Sequence, residues 1–150
     1  MLNIREVLSR VLKLEAFRQM HESDFRQIVY GQEFTPAAGQ SSPATPRNFP
    51  AGAIVYGITA AAFVPASALS GGRNRQGFQL DFAYNGGEKI TVDGPISADA
   101  LLGGGDSNIF PAKELVMGAN QQIICTAKNI TSAALTIDVS YHCLVYRFQG

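Results

Sequence analysis

Residues 135–148 read LTIDVSYHCLVYRF, and their alternation decides what kind of fold the chain adopts. Leu135, Ile137, Val139, Tyr141, Cys143 and Val145 fall on one side of a period-two pattern, with Thr136, Asp138, Ser140 and His142 on the other. Successive side chains of an extended strand point to opposite faces, so this is a long strand with one apolar face turned to a core. Beyond His142 the second face becomes apolar too. Leu144, Tyr146 and Phe148 therefore predict a strand end covered by another element or by a neighbouring subunit.

The same punctuation runs back through the body of the chain. Phe78, Leu80, Phe82 and Tyr84 alternate with Gln79, Asp81 and Ala83, and Asn85-Gly86-Gly87 supplies the turn that follows. Ile54 to Thr59 reads as the first strand, Lys89 to Val92 and Glu114 to Met117 as short ones, and Gln121 to Lys128 as a firmer one. Between them, 94–110 is a long irregular connection centred on Gly103-Gly104-Gly105. Short strands separated by Gly-rich turns predict a mainly β chain, an antiparallel β-sandwich of jelly-roll type, over residues 51–150. Cys125 and Cys143 fall on the last two strands. A hairpin turning near Ile130 to Ala133 sets Cys125 opposite about Asp138 and Cys143 opposite about Asn120, out of disulfide reach, so both are expected as buried free thiols. Asn129-Ile130-Thr131 matches a glycosylation sequon but reads here as the chemistry of that hairpin turn.

The first third of the chain has a different character, holding nearly half of the charged side chains between Arg5 and Glu33. Ile4, Val7, Leu8, Val11, Leu14 and Phe17 recur at steps of three and four, which predicts an amphipathic helix over residues 3–20. Ser23 or Asp24 then caps a second short helix with Phe25, Ile28 and Val29 on one face, ended by Gly31. The run TPAAGQSSPATPRNFP, residues 35–50, holds four of the seven prolines and reads as a semi-extended linker without helix or ladder. The expected organisation is a helical arm over 1–34, a Pro-rich linker over 35–50 and the sandwich over 51–150. Ile4, Val7, Leu8, Val11, Leu14, Phe17, Phe25 and Ile28 are the arm's candidate partner contacts. The alternative is an arm folded back on its own sandwich.

Lys and Arg balance Asp and Glu at 12 each, which leaves no field to draw in nucleic acid or an anionic membrane. Charged residues make up 16% of the chain, against about 25% in an average domain, and a low-charge surface at zero net charge favours association. The opening residues form no signal peptide and no apolar run is long enough to span a bilayer, so synthesis in a cytosol is expected. His21 and His142 have no Cys, His or carboxylate at ligand spacing, and no nucleophile elbow, phosphate loop or C-x-x-C occurs. No catalytic residue, metal or cofactor is expected. Asp81 and Asp138 read as solvated strand carboxylates and not as a glycosidase pair. The basic loop Gly71-Gly72-Arg73-Asn74-Arg75-Gln76-Gly77 makes Arg73 and Arg75 candidate partner contacts, together with Leu144, Tyr146 and Phe148.

Four stretches carry a resemblance. They are Phe49-Pro50-Ala51-Gly52-Ala53-Ile54-Val55, Arg73-Asn74-Arg75, Pro111-Ala112-Lys113-Glu114-Leu115-Val116-Met117 with Asn120-Gln121, and Leu135-Thr136-Ile137-Asp138-Val139-Ser140-Tyr141. Together, over roughly residues 48–148, the chain resembles the small jelly-roll accessory proteins of tailed-bacteriophage virions that cement or decorate capsids. The resemblance implies a non-enzymatic virion protein, assembled in the host bacterial cytoplasm, with the major capsid protein or other virion proteins as partners. Independently of the resemblance, the low charge, the zero net charge and the two-faced apolar strand end at Leu144, Tyr146 and Phe148 predict self-association, as a dimer or trimer. The long arm departs from compact decoration proteins and keeps a neck or tail component as an alternative, beside a carbohydrate-binding jelly-roll module. Against the latter, the chain has no Trp.

Overall fold

The computed structural model describes residues 4–13, 24–63, 77–92, 94–98, 101, 111 and 114–146. Among the described residues, the helix α1 (Ile4–Leu12) precedes eight strands: β1 (Phe25–Phe34), β2 (Thr45–Asn48), β3 (Ile54–Phe63), β4 (Phe78–Tyr84), β5 (Ile96–Ser97), β6 (Leu115–Val116), β7 (Gln122–Asn129) and β8 (Thr136–Tyr146). They form two four-stranded antiparallel sheets, in the orders β1-β8-β3-β6 and β2-β7-β4-β5. The pairs β1·β8, β2·β7, β3·β6 and β4·β5 are nested, as if the chain were one long hairpin. The pairs β3·β8 and β4·β7 then fold that hairpin into two sheets.

Alternation places the core where the sequence predicts it. Phe78, Leu80 and Phe82 from β4, Ile123, Cys125 and Ala127 from β7, and Ile137, Val139, Tyr141, Cys143 and Val145 from β8 fill the space between the sheets. Each large side chain buried this way contributes about 1.5–3 kcal/mol. Tyr141 sits at the centre, edge-on to Phe49 at 5.5 Å and to Phe82 at 6.4 Å between ring centroids. Cys125 and Cys143 are free and buried, as expected, and burial pushes the pKa of each thiol up to about 12. Neither is poised as a nucleophile, because the thiolate is the reactive form.

Three expectations are corrected. The segment read as a second helix is β1: Ile28, Tyr30 and Phe34 turn inward. Gln32, the polar residue in that inward row, is satisfied by the Tyr141 hydroxyl, which donates to its Oε1 at 2.8 Å, and by the Thr45 carbonyl, which accepts from its Nε2 at 3.2 Å. The segment read as a linker contributes β2, and Ser42 N donates to the Ala127 carbonyl at 2.7 Å while its Oγ accepts from Ala127 N at 3.0 Å. Pro46 is tolerated there because β2 is a sheet edge and a missing N–H costs no ladder bond on the open side. Finally, β7 and β8 form no hairpin, since they belong to different sheets.

The β7–β8 connection is a crossing between sheets, and the Asn129 side chain organises it. Its Oδ1 accepts from Thr131 N at 2.8 Å and Thr131 Oγ1 at 2.7 Å, and its Nδ2 donates to the carbonyls of Ala133 at 2.7 Å and Pro36 at 3.2 Å. A completely buried Asn is thus fully engaged. Gly77 packs against this loop with φ +87°, and a Cβ there would lie 2.6 Å from Thr131 Cγ2, so only glycine fits. One irregularity interrupts sheet A, the β1-β8-β3-β6 sheet: the β3·β8 register slips at Tyr56, which stands as an extra residue between Val55 and Gly57.

Candidate interaction surfaces

The helical spacing of the arm is realised on the molecule's own outer surface. Val7, Leu8 and Val11 are buried against Ile54 and Tyr56 of β3 and Leu144 of β8, with Ile4 and Phe25 partly buried beside them. This cluster lies on the outer face of sheet A, away from the inter-sheet core. Arg10 reaches Glu114 at 2.9 Å, while Arg5, Glu6 and Ser9 face solvent. The expectation that Val7, Leu8 and Val11 meet a partner is therefore corrected, because they dock on their own chain. Leu144 is corrected in the same way, its apolar face being covered by α1. Tyr146 is half-buried and edge-on to Phe25 at 6.3 Å. Phe25 and Ile28, read as helical, belong to β1, where Ile28 packs against the inter-sheet core. Leu14, Phe17, Arg73, Arg75 and Phe148 lie outside the described residues.

Where α1 ends, the outer face of sheet A becomes polar. Gln27 donates to the Tyr56 hydroxyl, and burial raises the pKa of that phenol above its usual value. His142 Nε2 lies 3.1 Å from Thr59 Oγ1, its ring tilted against Tyr56 at 6.3 Å, and desolvation lowers its pKa. A shallow groove of about 450 Å³ follows, lined by Gly31, Gln32, Glu33, Asp138, Val139 and Ser140. Glu33 and Asp138 stand opposite each other in the β1·β8 register.

The other carboxylate considered for chemistry is a fastener. Asp81 Oδ1 accepts from Thr91 Oγ1 at 2.6 Å and its Oδ2 lies 3.7 Å from Lys89 Nζ. Thr91 Oγ1 in turn accepts from Phe82 N at 2.9 Å, so the segment after the 85–87 turn is tied back onto β4. Asp81 and Asp138 occupy opposite outer faces of the sandwich and never meet over one substrate. Among the described residues no group of three His, Cys, Asp or Glu side chains converges to hold a metal ion, and no helix is long and apolar enough to cross a membrane.

The sheet edges differ sharply from one another. β5 and β6 are two residues long, and β2 is four residues long with Pro46 in it. β1 runs for ten residues with an unbroken register to β8 from Phe25↔Tyr146 to Phe34↔Ile137, and contains neither Pro nor Lys. Sequence reasoning missed this edge, although the inward alternation of Ile28, Tyr30 and Phe34 is present in the string. No protein family, curated protein or solved structure matches the chain.

Proposed function

We propose that this chain is a non-enzymatic structural protein of a bacteriophage virion, of the kind that cements or decorates a capsid through surface contacts. The observation that carries the reading is the nested pairing of all eight strands into the orders β1-β8-β3-β6 and β2-β7-β4-β5, the pairing expected of a jelly roll. It agrees with the resemblance drawn from residues 48–148. The polar side chains of the outer faces support the same view: Asp81, Thr91, Gln27 and His142 are engaged in holding strands and turns together. A surface built that way acts by shape and contact.

The test is incorporation. Particles produced by the host that carries the gene, purified and analysed by mass spectrometry, should contain the chain in many copies beside the major capsid protein. Particles lacking it should lose their contents at lower temperature. Its absence from purified particles, or a neighbourhood of metabolic genes in place of capsid and portal genes, overturns the reading.

A further inference from the structure

We propose that β1 is a self-association edge, at which a second copy of the chain adds its own β1 antiparallel about a two-fold axis and joins the two A sheets into one. The inference needs no virion and stands apart from the function proposed above. An edge strand exposes a row of N–H and C=O groups that template another strand, and proteins ordinarily blunt such edges with shortness, proline, lysine or a bulge. Here β2, β5 and β6 are blunted by shortness, and β2 also by Pro46, whereas β1 is long, regular and unblunted. Near its middle Val29 is 51% exposed, one of four large apolar side chains in that state among the described residues.

The strand's own sequence favours a second copy as the occupant. Arg26 and Glu33 are its only charged residues and lie near opposite ends. Antiparallel pairing sets the cationic end of one copy next to the anionic end of the other, with Arg26 opposite Gln32 and Glu33 opposite Phe25 in the register below, whereas parallel pairing sets like ends together. A two-fold axis normal to the sheet keeps both cores on one side, so residues of the same face must pair. Centring the axis on Val29 satisfies this: Val29 covers Val29 of the second copy, Ile28 faces Tyr30, and Gln27 faces Gly31. At Gly31 a side chain would meet nothing within 4 Å, which leaves room for the incoming Gln27.

Sedimentation velocity of the full chain tests the assignment, with Val29→Lys and Val29→Glu as variants. Both substitutions sit on an exposed position, so circular dichroism should stay unchanged. The wild-type chain should dimerise, and each variant alone should associate about tenfold more weakly or worse because like charges then face each other. An equimolar mixture of the two should recover the dimer, since the introduced lysine of one copy then meets the introduced glutamate of the other. Hydrogen exchange of the wild-type chain, which needs no variant, should show the amides of 25–34 slowing as concentration rises. A monomeric wild-type chain overturns the proposal and leaves the edge to a strand from a different protein. Variants that associate like wild type, or a mixture that fails to recover, overturn the Val29-centred pairing.

Discussion

The apolar cluster between the sheets and the one beneath α1 contain side chains buried to the same degree, but they are closed by different means. Tyr141, Phe82 and Ile123 meet only after strands far apart in sequence have paired, so each depends on the whole sandwich. Val7 and Val11 rest on Ile54, Tyr56 and Leu144, a site that β3 and β8 complete by themselves. Burial alone therefore does not say what a side chain holds together. Removing inter-sheet contacts takes away the fold, while removing contacts under α1 takes away only the attachment of one helix. The two free cysteines, both in the inter-sheet core, report which of these has opened.

The largest effect is expected from Phe82→Ala. Truncating a buried aromatic costs about 3–5 kcal/mol, a large part of the ~5–15 kcal/mol that holds a typical domain. Urea unfolding should show that loss, and Cys125 and Cys143 should label readily under conditions where the wild-type thiols stay protected. A smaller effect, roughly 1–3 kcal/mol, is expected from the double change Val7→Ser, Val11→Ser. It should release α1 and lower helical ellipticity while both thiols remain unlabelled. If the double variant exposes the thiols as Phe82→Ala does, α1 belongs to the folding unit and the comparison collapses.

The smallest effect sharpens the boundary between the two regions, because His142 lies where the covered part of the outer face gives way to the open part. Burial holds its pKa below the ordinary 6.5 in the folded chain. The unfolded chain then binds more protons between that lowered value and 6.5, so stability should fall as pH drops through this window and level off beneath it. His142→Gln should flatten the melting temperature against pH over the same window. An unchanged slope would mean that another group carries the dependence.

How much of this is legible in the string depends on whether burial or pairing forms the element. β4 and β8 are legible because one face of each is buried along its length, and Phe78, Leu80, Phe82 and Leu135 to Val145 write that alternation directly. The helical stripe of Ile4, Val7, Leu8 and Val11 is legible for the same reason, though not the surface it rests on. β1 is obscured because Gln32 takes an inward position by bonding to Tyr141 and Thr45, while Val29 points out to solvent, which mimics helical spacing with Phe25 and Ile28. β2 is invisible because it is held through main-chain pairing to β7, with Pro46 and Asn48 facing out. The assignment of β7 and β8 to different sheets rests on their pairing with β4 and with β1 and β3, and the crossing between them is held by Asn129 bonding to Pro36, partners distant in sequence that no local pattern reveals.

The extra residue at Tyr56 also constrains how the gene can change. Val55 and Ile58 both face the inter-sheet core although they are three positions apart, an odd interval that strict alternation forbids. Tyr56 absorbs the mismatch and joins Ile54 on the outer face beneath α1. Losing Tyr56 or Gly57 would restore simple alternation and an unbroken register with β8, Val55 and Ile58 both still facing the core, whereas a residue lost from the regular part of β3 would turn the positions beyond it to the wrong face. Loss of one residue is thus accommodated at 56–57 and excluded along 58–63, and the turn around Asn85 to Gly87, where no Cβ built on Gly86 or Gly87 meets a neighbour, also has space for change. Descendants of this sequence should vary in the turn and at the bulge, and keep count along the rest of the strand.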